Sequence, residues 1–202
     1  MPMDLSDADP ERLLHLAQTG DGAALGLLLE RYRNYLALLA RLQIGRRLQR
    51  KVDASDLVQE AFLKAHRDFA MFRGASEKEW LAWLRQILAH NLANAARDLG
   101  RARRDVGRER SLQAAVEQSS ARLEAWLAAE QTSPSEQAQH HEQLLRLAAA
   151  LEGLPEAQRE AITLHHLQSW TLEQVGAQLG RSPAAVAGLI KRGLQQLRSV
   201  MT

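Results

Sequence analysis

Thr171–Arg198, TLEQVGAQLGRSPAAVAGLIKRGLQQLR, is the stretch from which this chain can be read. Its pattern is two short helices joined by a tight turn. Thr171 caps the first, and Gln174 three residues later completes a capping-box spacing. Val175 and Leu179 share one face, and Gly180 stands where a helix commonly ends in a left-handed residue. Ser182-Pro183 opens the second helix with an N-cap oxygen followed by proline at the first helical position. Val186, Leu189, Ile190, Leu194 and Leu197 recur at steps of three and four, so that helix has one buried face. Gly176, four residues before Gly180, leaves room for a close helix crossing. Lys191, Arg192 and Arg198 remain outside. This is a helix-turn-helix, whose second helix can enter a DNA major groove.

An ordinary helical hairpin with cations on its wet face would look the same, so the flanking sequence matters. Leu154–Ile162, LPEAQREAI, starts a further helix that sets Ala161, Ile162 and Leu164 against the motif. The whole chain has 202 residues, 46 % of them hydrophobic and only 4 % aromatic, with Ala, Leu, Gln and Arg abundant. Such usage favours helices, and no period-two run suggests a strand. No apolar run reaches membrane-spanning length, and the acidic start MPMDLSDADP does not read as a signal peptide. With no cysteine, disulfide and thiolate chemistry are excluded and the cytoplasm is the default compartment. A formal net charge of +2 does not itself announce nucleic acid. The distribution of charge says more.

From the start, Asp9-Pro10 opens a helix to about Thr19, which Gly20-Asp21-Gly22 breaks. Ala23–Leu42 reads as one helix with Leu25, Leu28, Leu29, Tyr32, Tyr35, Leu36 and Leu39 in its stripe. Arg41, Arg46, Arg47, Arg50 and Lys51 cluster around Gly45. Asp53 caps the next helix, where Leu57, Ala61, Ala65 and Phe69 face inward, flanked by Val58 and Phe62. Asp56, Gln59, Glu60 and Lys64 form its polar stripe. Ser76 and Glu79 form another capping box, ahead of a long helix with Trp80, Trp83, Leu84, Ile87, Leu88, Asn91, Leu92 and Ala95 on its inner stripe. Of the two tryptophans, Trp83 reads as core, and Trp80 falls within the loop region before it. Arg85, Arg97, Arg101, Arg103, Arg104, Arg108 and Arg110 crowd the outer face and tail, a track suited to phosphates. Val106–Ser135 is Gln/Ser/Ala-rich with weak periodicity, a linker in which Leu112, Val116, Leu123, Trp126 and Leu127 support a marginal helix. Ser133-Pro134-Ser135-Glu136 restarts the pattern, and Leu144, Leu145, Leu147, Leu151 and Leu154 supply a second core.

The run LPEAQREAITLHHLQSWTLEQVGAQLGRSPAAVAGLIKRGLQQLR resembles region 4 of the sigma-70 family, most closely the small extracytoplasmic-function type. DLVQEAFLKAHRDF resembles region 2.2, and the arrangement FRG…WL…NLA…RR resembles regions 2.3 and 2.4. The resemblance implies an all-α fold of two small helical domains, 9–105 and 133–202, joined by a flexible linker at 106–132. It implies an alternative sigma factor that binds core RNA polymerase, through its clamp coiled coil and flap, and directs promoter recognition and DNA melting. Asp56, Gln59, Glu60 and Lys64 would meet the polymerase, whose clamp surface is basic. Arg73, Ser76, Lys78, Asn91, Asn94, Arg97, Arg101 and Arg104 would meet the opened −10 strand. Thr171, Arg181, Ser182, Ala184, Ala187, Gly188, Lys191 and Arg192 would meet the duplex −35 element. An anti-sigma protein is a further partner such factors admit, and the nucleoid is where polymerase would carry this one. Two departures stand out. The loop from Arg73 to Trp83 is about two residues longer than the commoner family spacing. Val186 is followed by Ala187 and Gly188, where relatives carry polar or basic side chains, so direct contact shifts to Lys191 and Arg192.

No cofactor, metal or catalytic residue is expected. His140-His141 and His165-His166 point to different faces as helical neighbours, and no cysteine or spaced carboxylate completes a site. The alternative function is a helix-turn-helix regulator with an N-terminal helical sensing or dimerisation domain. It leaves DLVQEAFLKAHRDF and FRG…WL as coincidence, and predicts dimeric binding to a palindromic duplex.

Overall fold

The computed structural model describes residues 8–44, 52–98, 106–130 and 140–201, and among these every regular element is helical. The chain divides into two compact units, Met1–Glu117 and Gln118–Thr202.

In the first unit, α1 (Pro10–Gln18) opens with proline, whose missing N–H has no intrahelical partner to lose there. The chain turns at Gly20, φ 103°, a conformation that favours glycine. Asp21 then caps α2 (Gly22–Arg31) by accepting from the Ala23 and Ala24 N–H groups at 2.9 and 3.1 Å. The single helix expected over 23–42 is in fact two. α2 stops at Tyr32, with φ −98° and ψ 3°, and α3 (Arg33–Gln43) restarts beyond it. Tyr32 is fully buried, and its hydroxyl donates to Glu77 Oε1 at 2.7 Å, a tie 45 residues long that overrides local helix propensity. Burial and the Glu77 carboxylate push that hydroxyl's pKa far up, so it stays a donor.

Asp53 caps α4 (Ala54–Asp68) through the Ser55 N–H at 2.9 Å. This helix buries Ala54, Leu57, Val58, Ala61, Phe62 and Ala65 against α3 and α5 (Glu77–Asp98). Phe69, Phe72, Trp80 and Trp83 form an aromatic cluster with centroid separations of 5.0–6.2 Å. Within it the tryptophans exchange their expected places. Trp80 lies in the first turn of α5 and is fully buried, while Trp83 is half-buried. Arg85 is likewise not on the outer face. It reaches inward to Glu117 at 2.8 Å and to the Tyr35 hydroxyl at 3.2 Å.

The linker candidate carries α6 (Val106–Glu130), a 25-residue helix. Val116, Ser120, Leu123 and Leu127, spaced 4, 3 and 4, are all buried. Its first half is tied to the first unit by Arg85–Glu117 and by Gln43 donating to the Ala115 carbonyl at 3.3 Å. Its second half belongs to the second unit. There Trp126 stacks on His166 with centroids 5.3 Å apart, and Arg122 donates to the Leu167 carbonyl at 3.2 Å.

The second unit comprises α7 (His140–Glu152), α8 (Glu156–Ile162), a π-helical turn (Thr163–Leu167), α9 (Leu172–Leu179) and α10 (Pro183–Met201). Leu144, Leu147, Leu151, Ile162, Leu167, Val175, Val186 and Leu197 fill its core, each such side chain contributing about 1.5–3 kcal/mol. α10 presses closely on α8, since a Cβ at Gly193 would meet Ile162 Cδ1 at 2.5 Å. Contrary to the expectation for helical neighbours, the His165 and His166 rings meet edge to face at 4.9 Å. His165 Nδ1 bonds the Trp170 carbonyl at 2.7 Å instead of pointing away.

Candidate functional site

The helix-turn-helix is fixed by its own local chemistry. Thr171 accepts from the Gln174 N–H at 3.2 Å, and the Gln174 side chain accepts from the Thr171 N–H at 2.8 Å, closing the capping box. α9 ends at Gly180 in the left-handed region, φ 66° and ψ 38°. Gly176 makes the turn possible, because a Cβ there would meet the Arg181 carbonyl oxygen at 2.6 Å. Ser182 starts α10 by accepting from the Ala185 N–H at 3.3 Å. Val186, Leu189, Ile190 and Leu197 turn inward, so Arg181, Ser182, Ala184, Ala187, Lys191 and Arg192 all face solvent. Gly188 is half-buried behind the Arg192 side chain, whose Nη1 would lie 3.4 Å from a Cβ there. Thr171 is exposed, but its hydroxyl is already engaged in the cap.

The loop leading into α5 is held by residues far apart in sequence. Glu79 Oε2 accepts from the Ala75 N–H, the Ser76 N–H and the Ser76 hydroxyl at 2.9, 3.1 and 2.9 Å. Those donors, Ala75 first, hold its carboxyl below the ordinary carboxylate range. Gln18, at the end of α1, donates to the Gly74 carbonyl at 2.8 Å. Gly74 has no room for a side chain, since a Cβ would run into the Phe72 ring and Glu79 Cβ. Arg73 folds over its own turn, donating to the Ala70 carbonyl at 2.6 Å. Arg73 and Lys78 are exposed; Ser76 is half-buried and spent on the cap.

Along α5, Arg97 is exposed and bonds the Asn94 side-chain oxygen, so these two share one surface. Asn91 does not share it. It is 5 % exposed on the inner stripe, and its amide nitrogen has no hydrogen-bond partner among the described residues. Arg101, Arg103, Arg104, the Arg108 side chain and the Ser133–Glu136 box lie outside the described residues, as do Arg46, Arg47, Arg50 and Lys51.

On α4, Asp56, Gln59 and Glu60 face solvent together. Lys64 turns along the helix to Asp68 at 2.8 Å and so is less available to a partner. Leu63 stands in the same strip, 64 % exposed, an apolar side chain the polar-stripe reading passed over. The ties made by Gln18 and by Tyr32, itself read as core, were missed for a different reason: nothing near them in sequence marks a partner 56 or 45 residues away. Among the described residues no group of three or more His, Cys, Asp or Glu is placed to hold a metal, and no helix is long and apolar enough to cross a membrane.

Comparison with known proteins gives the following. Residues 28–102 match the family described as Sigma-70 region 2, and residues 144–197 match Sigma-70, region 4. Over 166 residues the chain is 32 % identical to the ECF RNA polymerase sigma-E factor of Escherichia coli strain K12, covering 82 % of this chain and 80 % of that protein. It is 31 % identical to the protein of the same description from Salmonella typhimurium strain LT2, with the same coverage. The corresponding Haemophilus influenzae protein is 36 % identical over 84 residues, 42 % of this chain and 41 % of that one. A solved structure of CnrH in complex with the cytosolic domain of CnrY aligns at 27 % identity over 96 % of this chain and 97 % of that one, with a TM-score of 0.36.

Proposed function

The chain belongs to the sigma-70 family, as a sigma factor of the extracytoplasmic-function type serving transcription initiation, and from that premise we propose which of its surfaces meets which partner. The solvent face of α4 docks on core RNA polymerase. Asp56 and Glu60 pair with cations of the clamp coiled coil, Gln59 hydrogen-bonds beside them, and Leu63 adds apolar area at the centre of the strip. Lys64, engaged with Asp68, plays the smaller part.

The loop Phe72–Ser76 and the exposed edge of α5 meet the opened −10 strand. A stacked base presents no readable Watson–Crick edge, so the loop acts on bases already out of the helix. Arg73, Lys78, Asn94 and Arg97 supply donors and positive charge for strand and phosphates. Asn91, turned inward, acts through packing. α10 enters the major groove of the −35 duplex. Arg192 is the bidentate donor to a base edge, Lys191 a point charge on phosphate, and the Ser182 and Ala184 N–H groups at the start of α10 hold another phosphate. Ala184 and Ala187 contribute only methyl contact. No step needs a catalytic side chain of this chain. Binding energy opens the duplex and the polymerase performs the chemistry, where polymerase and chromosome meet in the cytoplasm.

The observation that carries this reading is the pair of separate solvent-facing surfaces, acidic on α4 and basic on α10, in separately packed units each matched to its own family region. Mixing the purified chain with core polymerase tests it. A one-to-one complex that starts transcription at a defined two-block promoter is expected. A free chain that instead binds a palindromic duplex as a dimer would replace it with the regulator reading.

A further inference from the structure

One peptide unit in the loop before α5 is gripped at both ends. The carbonyl of Gly74 accepts from Gln18 Nε2 at 2.8 Å, and the N–H on the same peptide, that of Ala75, donates to Glu79 Oε2 at 2.9 Å. A peptide bonded at both poles resists rotation about its axis more than one bonded at a single pole, since each bond polarises the other. The neighbouring ties agree with that orientation. Tyr32 holds Glu77, the first residue of α5, at 2.7 Å, and the Gly74 Cα packs too closely on Phe72 and Glu79 to admit a side chain. Glu79 and Phe72 belong to the loop or its helix, and Tyr32 lies within the residues matched to Sigma-70 region 2. The grip of Gln18 alone comes from α1, which lies outside the residues matched to Sigma-70 region 2. Gln18 is exposed and ends its helix, so it adds little to the core. Its reach to Gly74 acts on loop geometry instead.

We propose that Gln18 is a positioning residue for the opened promoter strand: it fixes the Gly74–Ala75 peptide and thereby the directions in which Arg73 leaves the loop and Lys78 leaves the first turn of α5. This rests on the reading of that loop as the −10 contact. Losing the Gln18 donor leaves the peptide free at its carbonyl end, and the loop must then be ordered by the strand itself.

The test uses holoenzyme reconstituted with Gln18→Ala, Gln18→Glu and Gln18→Lys, on a promoter taken from transcript starts mapped with the unaltered factor. Glu keeps the length but loses the donor; Lys restores one. Ala and Glu are expected to slow promoter opening about threefold to tenfold, the worth of one net hydrogen bond, and to flatten preference among −10 variants on a pre-opened template. Core affinity and −35 preference stay unchanged, and Lys recovers much of the −10 preference. If Arg73→Ala shifts −10 preference while the Gln18 variants do not, the inference fails and the loop reading stands; a lowered melting temperature without that shift marks Gln18 as an ordinary structural contact. If Arg73→Ala and Lys78→Ala also leave −10 preference untouched, the loop reading itself falls and takes the inference with it.

Discussion

The two turns proposed to meet DNA reach rigidity by opposite routes. The turn between α9 and α10 is set within twelve residues, by Thr171, Gln174, Gly176, Gly180 and Ser182, through neutral hydrogen bonds and two glycines. The loop before α5 takes its shape from Gln18 on α1, Tyr32 between α2 and α3, and the ionised Glu79. A turn meant for a fixed duplex groove can be a local, self-contained part. On the proposed reading, a loop that receives bases out of their stack needs bracing by the body of its unit, because an extruded base brings little structure of its own.

The largest effect tests whether both turns depend on docking. Asp56→Arg with Glu60→Arg should weaken core binding by about 3–5 kcal/mol, through like charges at the interface, and silence both turns at once. Native helicity with unchanged core affinity, measured by circular dichroism and fluorescence titration, would detach α4 from this role. Gly176→Ala strikes only the local turn. Its new methyl meets a backbone oxygen, so the second unit should lose about 2–3 kcal/mol in denaturant unfolding, with the first unit unaffected. Gly74→Ala should act in mirror fashion on the first unit at about 1–3 kcal/mol, since its methyl meets both the buried Phe72 ring and Glu79 Cβ.

Arg192→Ala should cost roughly 1–3 kcal/mol of −35 affinity and relax preference at one or two positions. Lys191→Ala should weaken all −35 sequences evenly, as a flexible point charge does. A −35 library in which neither variant matters, but Ala184 or Ala185 substitutions do, would place α10 in another register. The smallest effect is acid sensitivity. Because Glu79 titrates below its ordinary value of 4.5, its ties persist above that value and are lost as pH falls through the lowered one. Amide exchange at Ala75 and Ser76 should rise in that window while Gln174 and Ala185, held by neutral caps, stay protected. Equal loss at all four would erase the contrast between the turns.

The same contrast explains what could be read from sequence. The capping boxes at Ser76 and Thr171, the helix stop at Gly180, and the inward faces of α4 and α10 follow from spacings of three and four, and the structure has them where those spacings put them. The break at Tyr32 did not show, because its cause is Glu77 and the periodic stripe runs straight through it. Trp80 and Trp83 sit three apart on one helical face, so pattern alone could not say which enters the core. Arg85 read as an outer cation because Glu117 is 32 residues away. The helix at Val106–Glu130 looked weak since its buried stripe is narrow and includes Ser120, a polar residue that bonds Glu124 on its own helix at 2.9 Å. Leu63 was overlooked although its signal was local: an exposed leucine set among Gln59, Glu60 and Lys64 on a polar strip.

The division of labour between the two units is tested most directly by mapping transcript starts genome-wide after expression of the unaltered chain, Arg192→Ala and Arg73→Ala. The account predicts a two-block promoter motif for the unaltered chain. Arg192→Ala should then change letters only in the upstream block, and Arg73→Ala only in the downstream block. A single palindromic motif, or one substitution altering both blocks alike, would contradict it.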